Sequence, residues 1–213
     1  MGDKAAVPKP LGHAVGRHPG TGRPKLGERR AKREDFSIYD FDGPIPILAV
    51  EPPSPETEES YQLTISTEGG DALSYSLEEL RKEFTVQEVP AHITCLMFNF
   101  TKPVTWTAIR LADILAKCEG EFNYASFYSW DTHETKEDDC FFETLPKNYA
   151  LDPRTLLAIG MNGGPLRLAA PFLQGYKSVK WLTDIRLTTE GEVGYKKLHG
   201  FIEFPEFNPP PSA

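Results

Sequence analysis

The hydrophobic residues of this chain form many short runs, bounded by Gly, Pro or charged residues, and few long ones. Tyr61–Ser66 alternates, with Leu63 and Ile65 on one face, which predicts a β-strand that ends before the turn residues Gly69 and Gly70. Similar patterns predict further β structure over Val86–Phe100, with an interruption at Pro90, and over Ala125–Trp130, Leu166–Ala170 and Ser178–Leu187.

Helix signals are fewer and short. They predict one helix from the capping box Ser76–Glu79 to Glu83, one around Leu111–Leu115 that ends near Gly120, and one from the Asp152-Pro153 cap through Ala158. Thr132–Asp139 is charged and predicts a loop. Many short strands, a few short helices and no regular βαβ alternation indicate an α+β fold.

Charge is distributed unevenly along the 213 residues, a length typical of one domain. Residues 1–34 carry nine basic and three acidic side chains, a net charge of +6, and the remaining residues carry −14. The first 34 residues have too few apolar side chains for a core, so we expect a disordered basic arm. The arm is either a solvated tail or a docking element for an acidic protein partner or an anionic surface.

The other composition signals exclude several classes of protein. The acidic body argues against nucleic-acid binding, and no run of about 18 apolar residues predicts a membrane span. The three cysteines lack CxxC spacing, which disfavours a zinc site or a disulfide scaffold. No apolar segment follows Arg29-Arg30, so we expect no export signal and a cytoplasmic location. We expect a domain over 35–200 and a Pro-rich tail over 201–213.

The most informative segments are Asn162–Arg167 and Gly175–Trp181, which combine glycines with basic side chains. Glycine lets a backbone approach a ligand closely, and Arg and Lys are common partners of phosphate oxygens. Arg167, Lys177 and Lys180 lie in mostly apolar sequence, where a buried cation needs an anionic partner. A phosphate group or a phosphate-bearing cofactor would satisfy all three, although exposed surface cations would produce the same pattern.

Cys95, at the end of a predicted strand, is the candidate thiolate. A lone Cys is more often a small buried hydrophobic residue. A Cys–His hydrolase is disfavoured, because His92 lies three residues away on a strand and should face the opposite side, and His133 falls in the charged loop. Trp106 and Trp181 are interpreted either as platforms for a flat ring or as core residues.

The order of these segments resembles that of the sulfite-oxidase-like molybdopterin-binding oxidoreductases. The resemblance covers roughly Tyr61 to Leu187. It is carried by Ile93-Thr94-Cys95, Val104–Ile109 with Leu111–Leu115, Leu156–Ala158, Asn162–Arg167 and Gly175–Lys180, of which the last two are the most specific.

This resemblance implies a sulfite-oxidase-type α+β domain, with mixed sheets and short helices, around molybdenum held by one pterin dithiolene. It assigns Cys95 as metal ligand and catalytic residue. Contacts to the pterin and its phosphate are implied for Asn162, Arg167, Ser178, Val179, Lys180 and Ser129. The implied reaction is two-electron oxygen-atom transfer on a small-molecule substrate, with a separate electron-transfer partner.

The chain also departs from the family pattern. Leu96–Phe100, directly after the Cys, is apolar, and two motif segments appear fused into Met161–Pro165. The sequence therefore leaves a second hypothesis open, a non-catalytic relative that keeps the fold, has lost the cofactor and acts as a structural or complex subunit. We favour the oxidoreductase, because the motifs occur in the family's order.

Overall fold

The structure is a computed structural model that describes residues 60–95, 100–132, 140–161 and 164–195. The predicted arm (1–34), the Pro-rich tail (201–213), Asn162 and most of the predicted loop after Thr132 lie outside these residues. No helix within the described ranges is long and apolar enough to cross a membrane.

Short strands dominate the described residues. The strands are β1 (Gln62–Thr67), β2 (Leu73–Ser76), β3 (Gln87–Cys95), β4 (Phe100–Arg110), β5 (Tyr124–Thr132), β6 (Cys140–Pro146), β7 (Leu156–Met161), β8 (Gly164–Ala169) and β9 (Leu182–Thr188). The helices are α1 (Leu77–Glu83), α2 (Leu111–Leu115) and α3 (Lys147–Ala150), with a single 3₁₀ turn at Gly175–Lys177. Short helices with β structure confirm the α+β prediction.

The strands form two sheets. The first has the order β2-β1-β9-β5-β6, in which only β1 and β9 pair in parallel among the described strands. The second has the order β3-β4-β7-β8 and is antiparallel throughout its described pairs. Because the first sheet mixes both orientations, the described topology agrees with the predicted mixed-sheet architecture.

Strands β4, β7 and β8 of the second sheet contribute buried residues to both faces of the sheet. Leu157, Leu166 and Ile109 face the main core, which they share with first-sheet residues such as Leu63 and Phe127. The opposite face carries a smaller cluster formed by Trp106, Ala108, Leu156, Ala158 and Ala169. The alternation of neighbouring residues between the two clusters is the ordinary consequence of side chains pointing to opposite sides of a strand.

The helix predicted from Asp152 through Ala158 is wrong. The Asp152 side chain instead accepts from the backbone N–H of Arg154 at 2.8 Å in a local turn, and the chain then enters β7. Ala158 pairs with Ala108 on one side and with Arg167 on the other. A short, fully apolar run fits a central strand as well as a buried helix, and here pairing with β4 and β8 decides.

Two other predictions need correction. β3 passes through Pro90 without interruption, and among the described strands it lies at an edge of its sheet, a position that tolerates Pro. The strand predicted from Ser178 begins only at Leu182. The capping box is confirmed, since the Glu79 N–H donates to Ser76 Oγ and the Ser76 N–H donates to the Glu79 carboxylate. Strands β2 and β6, helix α3 and β4 beyond Phe100 were not predicted.

Candidate functional site

Cys95 closes β3 and lies half-buried at the end of the second sheet. By alternation it shares a face with Ala91 and Ile93, which pack against the Trp106 cluster. His92 is exposed and belongs to the opposite face, as predicted. The described residues therefore place no His92 imidazole beside the Cys95 thiol.

The 3₁₀ turn Gly175–Lys177 lies directly against this strand end. A Cβ atom added to Gly175 would collide with the carbonyl oxygen of Thr94 and lie 3.8 Å from the Cα atom of Cys95. Only a residue without a side chain allows the two backbones to approach this closely. The fold thus brings together Cys95 and the Gly175–Trp181 segment, which sequence analysis selected separately.

Arg167 extends from β8 on the same face as Trp106, opposite Ala158 in the β7–β8 pair. Its guanidinium carbon lies 5.0 Å from the Trp106 ring centroid, and its Nη2 donates to the carbonyl oxygen of Ser178 at 3.3 Å. Burial lowers the pKa of Arg167 to about 10, so the side chain remains cationic at neutral pH. The site therefore holds a buried positive charge at neutral pH, next to the backbone of Ser178.

Trp106 contributes a second buried donor. The residue is 2% exposed, and its indole Nε1 has no hydrogen-bond partner among the described residues. Buried polar groups are normally satisfied, and an exception in a site asks for a ligand, an ion or water. An acceptor-rich anionic group would suit this N–H and the neighbouring Arg167 cation.

Residues 178–180 run alongside β8 and are held mainly through their backbone. The Leu168 N–H donates to the carbonyl oxygen of Val179 at 2.8 Å, and Arg167 forms an isolated bridge with Lys180. The Ser178 hydroxyl accepts from the Ala170 N–H at 3.1 Å. This arrangement fixes the three residues as a rigid edge beside Arg167.

Ser129 and Trp181 hold the far end of this segment. The Ser129 hydroxyl donates to the carbonyl oxygen of Lys180 at 2.6 Å, and the Trp130 N–H donates to that of Trp181 at 2.7 Å. Trp181 has a φ of 46°, and a Cβ on Gly164, whose φ is 111°, would lie 2.5 Å from the indole. A left-handed backbone at a Trp is uncommon, so close packing holds this conformation.

Lys180 keeps a partly exposed side chain, with its Nζ 5.4 Å from the Trp181 ring centroid. The structure thus brings Arg167, Ser178, Val179, Lys180 and Ser129 together. The predicted contact from Asn162 lies outside the described residues.

The prediction that a buried Lys177 has an anionic partner is confirmed, but that partner is a protein carboxylate and not the expected phosphate. Its Nζ donates to the Glu143 carboxylate at 3.0 Å and to the carbonyl oxygen of Thr144 at 3.3 Å. Sequence reasoning missed Glu143 because no strand was predicted over β6. The available signal was an acidic residue inside the run Phe141-Phe142-Glu143-Thr144-Leu145.

The donors of this site suit an anionic group bound next to a soft metal. A thiol, a buried guanidinium and an indole N–H share one face of the second sheet. A thiolate is a preferred ligand of soft metal centres, and the guanidinium matches phosphate oxygens. The described residues therefore fit a molybdenum cofactor with a phosphate-bearing pterin.

Comparison with known proteins points the same way. The family model described as "Oxidoreductase molybdopterin binding domain" matches residues 49–196. The protein-methionine-sulfoxide reductase catalytic subunit MsrP of Campylobacter jejuni is 28% identical over 151 residues, 62% of this chain and 50% of the relative. MsrP of Pseudomonas syringae pv. tomato is 26% identical over 152 residues, 62% of this chain and 44% of the relative. The chain thus spans about half of the length of these curated relatives.

A solved structure with a similar fold is the sulfane dehydrogenase SoxCD from Paracoccus pantotrophus. The TM-score is 0.52, with 17% identity over 62% of this chain and 39% of that chain. At this identity the similarity concerns the fold alone, and it confirms the predicted sulfite-oxidase-type architecture.

Proposed function

The chain belongs to the oxidoreductase molybdopterin-binding domain family, and on that premise we propose that it is a molybdenum-cofactor-dependent oxidoreductase. One observation carries the proposal. The contact of Gly175 with the backbone of Thr94 and Cys95 places the candidate thiolate next to the segment that begins at Gly175. The same segment contains Ser178, whose carbonyl oxygen accepts a hydrogen bond from the buried Arg167. A structural scaffold has no need to combine a thiol, a buried cation and an indole N–H on one face.

In this proposal Cys95 is the catalytic residue and supplies the protein ligand to molybdenum. Its thiolate is chemically suited to a soft metal, and its position at the end of β3 leaves it half-buried. Rigid flanking structure supports this role. Thr94, the preceding residue, is buried, and its hydroxyl is 3.0 Å from that of Thr101 on β4.

The pterin and its phosphate would be held by Arg167 and by residues 178–180. Arg167 and Lys180 offer cationic side chains, and Ser178 and Val179 offer the rigid backbone beside them. Ser129 keeps the Lys180 carbonyl in place. We include Asn162 on the family resemblance.

Such a cofactor, when bound, supplies two-electron redox and oxygen-atom transfer chemistry, while the protein binds, orients and tunes it. The chain's own contribution is positioning and electrostatics. Arg167 neutralises anionic charge in a buried setting, where an ionic contact is stronger than in water. The packed Trp106 cluster, on the same face of the second sheet as Arg167, excludes water from this part of the site.

The substrate class that we propose is supported by the relatives' names, which specify protein methionine sulfoxide. We propose reduction of a sulfur-bound oxygen, in which a sulfoxide, two electrons and two protons give a sulfide and water. Since those relatives are named catalytic subunits, the electrons would come from a separate partner protein. The basic arm over 1–34 is the segment we propose for docking an acidic partner.

The test uses full-length protein produced in cells that make the molybdenum cofactor. Reduced viologen dye is supplied as electron donor, and its oxidation is followed with methionine sulfoxide, free and in a peptide. Wild type and Cys118→Ser should turn over substrate, and Cys95→Ser should lose turnover. Cys118 is a matched control, because it is a half-buried thiol remote in sequence from the site.

Two results would contradict the proposal in different ways. Protein that holds pterin but reduces no sulfoxide would refute the substrate class. Folded protein that holds no pterin would refute the oxidoreductase assignment and support the non-catalytic hypothesis.

A further inference from the structure

Lys177 and Glu143 form an ion pair inside the protein. The Nζ–Oε2 distance is 3.0 Å, and the exposed fractions of the two side chains are 6% and 0%. Lys177 Nζ also donates to the carbonyl oxygen of Thr144, so the cation has two described oxygen partners. A Cβ on Gly194 would collide with the Glu143 carboxylate, so the chain after β9 closes over the acid.

The pair connects two parts of the fold that are distant in sequence. Glu143 lies in β6, at the edge of the first sheet as far as the described strands go, whereas Lys177 is the last residue of the 3₁₀ turn. Two residues earlier in that turn, Gly175 abuts Thr94 and Cys95 at the end of the second sheet. The turn is therefore held between an ionic anchor on one sheet and a backbone contact on the other.

Stability alone does not explain such a pair. Removing two charges from water is costly, and replacing a buried ion pair by apolar residues of similar volume is often neutral or stabilising. What an ion pair adds over apolar packing is a defined position, since its hydrogen bonds require particular distances and directions. The backbone N–H of Ser178, which donates to Gly175 O at 3.1 Å, transmits this position to the next residues.

We propose that Lys177 and Glu143 are positioning residues, which set the place of residues 175–180 relative to Cys95 and thereby the width of the cofactor site. The link of this inference to a cofactor rests on the proposed function. The positioning of residues 175–180 by the ion pair can be tested without a cofactor. It gives Lys177 a role different from the cofactor contacts proposed for Arg167 and Lys180, because the Lys177 ammonium group is paired with the Glu143 carboxylate.

The experiment compares wild type with the double variant K177M/E143L, which removes both charges and keeps similar volumes. The first readout is hydrogen exchange of the backbone amides of residues 177 and 178 in cofactor-free protein. Protection should fall by about tenfold or more in the double variant while strand β1 stays unchanged. The second readout is the rate of pterin loss from loaded protein, which should rise by a similar factor.

Two further variants isolate positioning from general stability. Lys117→Met is the matched control, because Lys117 forms a 3.0 Å ion pair with Glu83 whose side chains are 51% and 40% exposed. It should leave both readouts unchanged. Lys177→Arg can still donate a charge-assisted hydrogen bond to Glu143, so it should retain more of the protection and of the bound pterin than the double variant.

The outcomes separate this inference from the proposed function. Unchanged loop protection in a folded double variant overturns the positioning role, whatever the cofactor does. Altered protection with unchanged pterin loss overturns the link to the site. If wild type binds no pterin, the proposed function fails, and the exchange readout still decides whether the pair holds the loop.

Discussion

The main core and the candidate site are buried to a similar degree, but the core consists of apolar side chains whereas the site includes charged ones. In the core, Leu63, Phe127 and Leu157 are fully buried in an apolar cluster shared by both sheets. In the site, Arg167 and Lys177 are nearly as buried, yet each carries a charge. Equal burial therefore reflects two different physical situations within one small domain.

The difference teaches how to separate stability from function in this fold. Burying apolar surface stabilises the folded chain, whereas burying a cation carries a desolvation penalty that contacts with its partners only partly offset. Apolar burial needs no further explanation, but buried cations do. The predictions below test whether changes in the core cost stability and changes in the site cost cofactor.

The largest effect is expected in the core. Phe127→Ala should lower the free energy of unfolding by about 3–5 kcal/mol, because it leaves a cavity between the two sheets. Urea denaturation of the cofactor-free protein measures this. The control is Val193→Ala, whose side chain is 47% exposed and whose loss should cost less than about 0.5 kcal/mol. Equal effects of the two variants would contradict the description of the core.

Gly175→Ala tests the contact between the loop and the strand end. The new methyl group must displace the Thr94 carbonyl, so we expect a loss of about 1–3 kcal/mol and reduced cofactor binding. Gly70→Ala is the control, since its Cβ would meet neighbours only at 3.4 Å and beyond, with no unusual φ. If Gly175→Ala were as well tolerated as Gly70→Ala, the two segments would not be in contact as described.

Arg167→Met should separate the site from the core, because it is expected to lower the pterin content but not the stability of the cofactor-free protein. The loss of a buried cation offsets the loss of its bond to Ser178, so cofactor-free stability should stay within about 1 kcal/mol of wild type. Pterin content should nevertheless fall strongly. A variant that unfolds would show that Arg167 is a structural cation, and a folded variant with full pterin content would show that Arg167 does not hold the cofactor.

The smallest effect concerns a partly buried ion pair, Asp152–Arg154, at the margin of the main core beside Phe172. Hydrogen bonds from the Arg154 side chain hold the pKa of the Asp152 carboxyl below its ordinary value. The resulting stabilisation is present above the pKa of the unfolded chain and is lost as the pH falls through the lower folded-state pKa. Asp152→Asn should therefore cost less than about 1 kcal/mol at neutral pH and nothing in strong acid. Parallel stability profiles for both proteins down to strong acid would contradict this.

Local signals in the sequence were sufficient for part of this fold. The Ser76–Glu79 capping box predicted α1 correctly, because both of its hydrogen bonds lie within one helical turn. The alternation around Leu63 and Ile65 predicted β1, because a strand with one buried face has a period of two in the sequence itself. The α+β class followed from the lengths and order of such segments.

Long-range pairing accounts for the errors. The apolar run Leu156–Ile159 suits a helix or a central strand, and only its pairing with β4 and β8 makes it a strand. In the site, Cys95 and Arg167 could be selected from their residue types and motifs. The Lys177–Glu143 pair could not, since its partners are 34 residues apart on strands and turns whose contact the sequence does not specify.

The central claim is that this chain holds a molybdenum cofactor through the Cys95 thiolate. The most direct measurement is the molybdenum and pterin content per chain of purified wild type, Cys95→Ser and Cys118→Ser, each shown to be folded. We predict near-equal amounts of metal, pterin and protein for wild type and Cys118→Ser, and a loss of metal from Cys95→Ser. Folded wild type without molybdenum or pterin, or Cys95→Ser with undiminished metal, would contradict the claim.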